Sequence, residues 1–150
     1  MSPLYDLLRS DGSVVTNKKL MHGIGLNEAI IYSELLSKYY YFEARGQLQY
    51  DNVFFNTIDD LYLSTCISDR GQRTAIKNLV TYGLLATKTR GLPPKRYFKL
   101  SFDEEVISYY LKIGADKIAM KREEMKTKSI VSIGKLKIPA LADIKSCNSR

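Results

Sequence analysis

The chain of 150 residues has only two cysteines, Cys66 and Cys147, and a single histidine, His22. Two thiols and one imidazole fall short of the four ligands of an ordinary structural zinc site, and such sparing cysteine use suits a reducing cytoplasm. No apolar run reaches the roughly 18 to 20 residues that span a bilayer, and Met1 to Ser10 lacks a basic segment followed by an apolar stretch. The expectation is a protein that is neither secreted nor membrane-spanning. His22 stands beside Gly23, with no Ser, Cys or carboxylate at a spacing that suggests a catalytic set. Gly23-Ile24-Gly25 lacks the third glycine of a dinucleotide loop. The carboxylate pairs Asp59-Asp60 and Glu104-Glu105 are adjacent at helix starts, so their side chains diverge instead of converging on a metal. No enzymatic activity, cofactor or metal is expected, and there are no internal repeats.

What is present is ordinary in composition and uneven in charge. With 45% hydrophobic and 26% charged residues and four prolines, the chain sits near globular averages and can bury a core. The net charge of +7 is distributed in blocks. Residues 1 to 69 carry 5 Lys/Arg against 9 Asp/Glu, and residues 70 to 100 carry 8 against none. Residues 101 to 118 then carry 2 against 4, and residues 119 to 150 carry 8 against 3. A block of cations without one anion is the footprint expected for a polyanionic partner.

Ser2 to Arg9 reads as a short irregular or helical start ending in the Asp11-Gly12-Ser13 turn, followed by the β-prone Val14-Val15-Thr16. Ile30, Ile31, Leu35, Leu36 and Tyr39 line one face of a first helix capped by Asn27. After the aromatics Tyr39 to Phe42 and the turn Asp51-Asn52, Val53-Phe54-Phe55 predicts a short strand. Thr57 caps a second helix, and Ser68 caps a third that buries Gln72, Ala75, Ile76, Leu79 and Val80 and stops at Gly83. Leu84 to Arg90 and Arg96 to Leu100, joined by Gly91 to Lys95, predict a hairpin. Asp103-Glu104-Glu105 opens a fourth helix whose apolar stripe runs to Gly114. From Ala119 the periodicity weakens.

The fold class expected is therefore α+β, mainly α: a winged helix-turn-helix over residues 1–118, with an added C-terminal helix, and a mobile basic tail or linker over residues 119–150. The unburied face of the third helix carries Arg70, Arg73, Thr74 and Lys77. Arginine can donate two hydrogen bonds to a guanine edge, so Arg70 and Arg73 are candidates for reading bases. Lys77, Lys88, Arg90, Lys95 and Arg96 suit phosphates, which adds affinity without sequence choice. Thr57 and Ser68 can lend hydroxyls or backbone amides to phosphates, with plain helix capping as the alternative.

The stretch from Phe54 to Leu100, including Thr57-Ile58-Asp59-Asp60-Leu61, Ser68, Ala75-Ile76-Lys77-Asn78-Leu79 and Tyr82-Gly83-Leu84-Leu85, resembles the winged-helix modules of plasmid and phage replication initiators of the RepA kind and of DnaD-like replisome organisers. Asn17-Lys18-Lys19-Leu20 and Gly25-Leu26-Asn27-Glu28-Ala29-Ile30 are similar to the segment preceding that module, so the resemblance covers roughly residues 13 to 101. It implies cytoplasmic binding of double-stranded DNA, often as a homodimer, in replication initiation or its control, with replication proteins as further partners. It carries over the recognition-helix positions of Arg70, Arg73, Thr74 and Lys77. The chain departs from the pattern at Gly71-Gln72, where a mid-helix glycine costs roughly 1 kcal/mol relative to alanine and predicts an irregular helix start. A DnaD-like initiator is also expected to continue into a second helical domain, where this sequence has the basic stretch 119–150. A transcriptional repressor with the same fold is the alternative. A reading of another class is a protein-contact module working through Tyr39 to Phe42 and the stripe of the fourth helix.

Overall fold

A computed structural model describes residues 2–9 and 12–135. The chain comprises two units, Met1–Ala115 and Asp116–Arg150. In the first, helices α1 (Pro3–Leu8), α2 (Lys18–Ile24) and α3 (Leu26–Ala44) precede the two-residue strand β1 (Phe54–Phe55). Helices α4 (Ile58–Thr65) and α5 (Asp69–Thr81) follow, then strands β2 (Leu85–Arg90) and β3 (Lys95–Leu100). Helix α6 (Glu104–Lys135) begins in this unit. The architecture is α+β and mainly helical, with one antiparallel sheet ordered β1-β3-β2.

Local chemistry accounts for most boundaries. The Asn17 side chain accepts from the backbone N–H of Lys19 (2.9 Å) and Leu20 (3.2 Å) and so starts α2. The resemblance touched this segment without revealing the helix. Asn27 was expected to cap α3, but the helix already starts at Leu26, after Gly25 turns the backbone at φ 111. Among the described residues Val14-Val15-Thr16, expected as a strand, joins no sheet and runs as irregular chain, Val15 being exposed. Gly83, at φ 76, stops α5 as its left-handed conformation requires.

The core gathers Ile31 and Leu35 of α3, Leu61 of α4, Leu79 of α5, and Leu84, Phe54 and Phe98 around the sheet, all at most 2% exposed. Tyr39 stacks edge-on against Phe54 with centroids 6.4 Å apart, Phe42 lies 5.9 Å from Phe54, and Tyr39 lies 4.8 Å from Phe102. The Tyr39 to Phe42 run is thus divided, with Tyr39 and Phe42 turned to the core and Tyr40 and Tyr41 exposed.

Helix α6 continues through Gly114, where the apolar stripe read from the sequence ends. A Cβ at Gly114 would overlap the carbonyl oxygen of Lys19, and one at Gly23 would overlap that of Tyr110, so α2 and α6 cross with their backbones in contact. The glycine at which the apolar stripe ends is a packing glycine. In the second unit the helix persists to Lys135, where the sequence suggested a tail or linker, and carries the ion pairs Lys121–Glu124 (3.1 Å), Lys126–Glu123 (3.1 Å) and Lys128–Glu124 (2.8 Å). Glu124 is held below the ordinary carboxylate range by Lys128 and Lys121. Residues 136–150 of the expected basic tail lie outside the described residues.

Candidate nucleic-acid interface

Helix α4 ends at Cys66, whose left-handed backbone (φ 60) and N–H donation to the Tyr62 carbonyl (2.7 Å) make a tight turn into α5. The joint is fixed by a buried amide. Fully buried Gln72 donates through Nε2 to the carbonyls of Ile58 (3.0 Å) and Ile67 (2.9 Å) and accepts from the Arg96 guanidinium (3.2 Å). One side chain therefore ties the start of α4, the turn, α5 and β3. Thr57 accepts from the N–H of Asp60 (2.9 Å) and Ser68 from that of Gly71 (3.2 Å), so both hydroxyls cap. The irregular start expected at Gly71 is absent: α5 is helical from Asp69, and a Cβ at residue 71 would stand 2.8 Å from Cγ2 of Ile67, so glycine lets the turn close on the helix.

Opposite its buried face, α5 presents Arg70, Arg73, Thr74 and Lys77 to solvent. The Arg73 guanidinium forms a two-pronged pair with the Asp69 carboxylate, both contacts 2.9 Å, and Thr74 donates to the Arg70 carbonyl (3.1 Å). Val80, expected in the buried stripe, is 43% exposed. It sits on the flank of the helix, where Arg73, Ile76, Lys77, Val80 and Thr87 of β2 bound an open cleft of about 400 Å³.

The hairpin divides its cations between two surfaces. In the register, Leu85 faces Leu100, Thr87 faces Phe98 and Thr89 faces Arg96, and these residues point to the core side, where Phe98 and Leu100 are buried. Lys99 faces Ala86, Tyr97 faces both Lys88 and Phe55, and Lys95 faces Arg90, so this set lies on the sheet's outer side. On that side Arg90 lies over the Tyr97 ring at 5.8 Å, and the Lys95 ammonium lies over Phe55 at 5.1 Å. Lys99 binds Asp51 at 2.8 Å, which lowers the Asp51 carboxyl from its ordinary value, with Lys88 and Arg90 adding smaller contributions.

Arg96 differs from the other expected phosphate ligands. It is half-buried, bonded to Gln72 and packed 4.8 Å from the Phe98 ring, and its Nε is buried without a partner. Burial lowers the guanidinium from its ordinary value, while Asp69 partly restores it and Arg73 lowers it further. The structure therefore brings Arg70, Arg73, Thr74 and Lys77 together on α5, sets Lys88, Arg90 and Lys95 on the outer side of the sheet, and turns Arg96 inward. Sequence reasoning passed over Lys99, Tyr97 and Phe55 as surface residues. The two-residue alternation of Lys95-Arg96-Tyr97-Phe98-Lys99-Leu100 was the signal that separates the two sides.

Among the described residues no helix is long and apolar enough to cross a membrane. No family model matches the chain, and no curated protein matches it. One solved structure, titled "N-Terminal domain of DNA binding protein", is similar at 17% identity, with 77% of this chain and 95% of that chain covered and a TM-score of 0.49. A likeness of that size assigns neither fold nor function.

Proposed function

We propose that the chain is a non-enzymatic winged-helix protein that binds double-stranded DNA by laying α5 in the major groove, with the β2–β3 hairpin as its wing. The observation that carries this reading is the exposed face of α5. Arg70, Arg73, Thr74 and Lys77 project from it while Gln72, Ala75 and Leu79, at most 1% exposed, anchor the opposite face. A helix held by its far side at a tight turn can enter a groove as a rigid body, with the guanidiniums near its N-terminus against base edges. Lys77 and the cations near the hairpin tip, Arg90 and Lys95, reach flanking phosphates. Arg96 supports the hairpin from within, through Gln72. The acid-free block from Arg70 to Leu100 supplies the attractive field.

The resemblance in sequence favours a role in replication initiation or its control for a plasmid or phage, acting as a homodimer in the cytoplasm. Two copies would place their α5 helices about one DNA turn, roughly 34 Å, apart. The test is fluorescence anisotropy with random duplex pools at rising salt, followed by sequencing of the retained DNA. The expected result is an enriched motif and an affinity that falls steeply with salt. Arg73→Ala should cost about 1 to 3 kcal/mol on that motif and much less on random duplex. Absence of duplex binding at low salt overturns the reading. Equal loss on both DNAs removes Arg73 from base recognition.

A further inference from the structure

We infer that the outer side of the sheet is a second DNA site, one that takes an unpaired strand by stacking a base on Tyr97 within a ring of cations. The side chains are Tyr97 and Phe55, with Lys88, Arg90, Lys95 and Lys99 around them. The two rings are cross-strand partners, 6.1 Å apart and inclined at 50°. Such a pair stabilises a sheet wherever it occurs. What points to a ligand is the setting of the pair. Tyr97 lines an open pocket of about 180 Å³ whose walls include Lys88, Arg90, Lys99 and Asp51, so this ring is reached from solvent and framed by charge. The Arg90 guanidinium lies 5.8 Å from the Tyr97 centroid, and the Lys95 ammonium lies 5.1 Å from that of Phe55.

The chemistry selects the occupant. In a duplex the base faces are covered by their neighbours, and only edges and phosphates are offered. An aromatic ring on an open sheet therefore has nothing to stack on in a duplex. An unpaired strand offers both parts, a base to lie on Tyr97 under Arg90 and phosphates to meet Lys88, Lys95 and Lys99. An acidic peptide would satisfy the cations and leave the rings unused. Asp51 is the one carboxylate lining the Tyr97 pocket, and it is engaged by Lys99 at 2.8 Å, whereas Phe55 and Lys95 line a neighbouring cleft that Asp59 and Asp69 also line, which leaves Tyr97 as the ring that takes the base. The site shares Arg90 and Lys95 with the wing of the proposed duplex reading, but its ring, Lys88 and Lys99 do not depend on α5 entering a groove, because the strand register sets them on the side of the sheet away from the core. A protein that grips a duplex with α5 and a separated strand with this surface would favour a duplex/single-strand junction over either alone.

The chain has no tryptophan, so Tyr97→Trp introduces a single indole reporter at the site. Labelled oligothymidylate and a blunt duplex are titrated in parallel into this variant, the wild type, Tyr97→Ala, and the double variant Arg73→Ala, Lys77→Ala. The expected result is that oligothymidylate quenches the indole and the duplex does not. Tyr97→Ala should weaken oligothymidylate about tenfold and leave the duplex affinity in place, as loss of one base stack requires. The double variant should do the reverse. No oligothymidylate binding by the wild type at low salt overturns the inference, and so does strand binding that leaves the indole unquenched. If Tyr97→Ala fails to fold, the quenching measurement decides alone. Loss of duplex binding with strand binding intact would strike the major-groove reading and leave this one standing.

Discussion

On α5 the cations Arg70, Arg73 and Lys77 stand among threonines and no aromatic ring, whereas on the outer side of the sheet Lys88, Arg90, Lys95 and Lys99 surround Tyr97 and Phe55. Each surface holds one internal ion pair, Asp69 with Arg73 at 2.9 Å on the helix and Asp51 with Lys99 at 2.8 Å on the sheet. The helix surface has hydrogen-bond donors on a narrow convex rod, which suits edges at the floor of a groove. The sheet surface has the Tyr97 ring in a shallow pocket, which suits bases already exposed. Positive charge alone would have merged these surfaces into one. The side chains between the cations separate them, because charge supplies attraction at a distance and contact chemistry decides what stays.

Gln72 is the point at which the comparison breaks most easily, since its amide joins α4 and the turn to α5 and, through Arg96, to the sheet. In Gln72→Ala two carbonyls lose a donor and a half-buried guanidinium loses its acceptor. Each unsatisfied buried group costs about 1 to 3 kcal/mol, so a stability loss of about 3 kcal/mol or more is expected. That corresponds to a fall in Tm on the order of 10 °C. Thermal unfolding followed by circular dichroism measures it. Duplex and single-strand binding should decline together at temperatures where the variant is partly unfolded. Unchanged Tm would show that α5 and the hairpin are positioned independently.

A smaller change sharpens the helix side of the comparison. Asp69 both accepts the Arg73 fork and places negative charge in the first turn of α5. The pair is largely exposed, so solvent screening keeps its worth low, and Asp69→Asn should cost about 0.5 kcal/mol of stability. Freed Arg73 should raise affinity for random duplex about two- to fivefold and steepen the salt slope by about one phosphate. Discrimination between the preferred site and random DNA should shrink, because the carboxylate no longer fixes the guanidinium in one orientation. Oligothymidylate binding should stay as it was. A gain on both DNAs would mean that Asp69 acts through general charge and not through Arg73.

How far each surface could be read from sequence follows from the distance between its parts. The α5 surface is local. Gln72, Ala75, Ile76 and Leu79 mark the buried side at helical spacing, which leaves Arg70, Arg73, Thr74 and Lys77 outside, and the Asp69–Arg73 pair lies four residues apart. The outer surface of the sheet is assembled from residues far apart in the chain, Asp51 against Lys99 across 48 positions and Phe55 against Tyr97. No periodicity within one segment records that meeting. The hairpin itself is legible, and so is the alternation that sets Arg96, Phe98 and Leu100 opposite Lys95, Tyr97 and Lys99, whereas the cross-strand partners that each side meets need the register. Helix α2 escaped for a different reason: its seven residues include Gly23, a poor helix former whose place is set by the crossing with α6. The packing role of Gly114 escapes the sequence because its partner, the Lys19 backbone, lies far away in the chain.

The smallest expected effect separates the two surfaces most cleanly. Asp51 sits in a left-handed turn at φ 67 and reaches Lys99 across 48 residues of sequence, with Lys88 and Arg90 also lowering its carboxyl. Hydrogen bonding to the ammonium favours the ionised form. The carboxyl therefore stays charged above its ordinary value of 3.8, and the pair is lost only as pH falls through the lower value of the folded state. Mild acidification should leave this surface unchanged, and substitution is needed to open it. Asp51→Asn removes the one negative charge in the pocket lining, frees Lys99 and keeps a residue type that tolerates positive φ. Oligothymidylate affinity should rise roughly threefold with a steeper salt dependence, read by anisotropy, while duplex affinity stays level. The opposite pattern, a gain on duplex alone, would assign Lys99 and its neighbours to the flanking phosphates of the groove that α5 occupies, and the two surfaces would then serve one duplex.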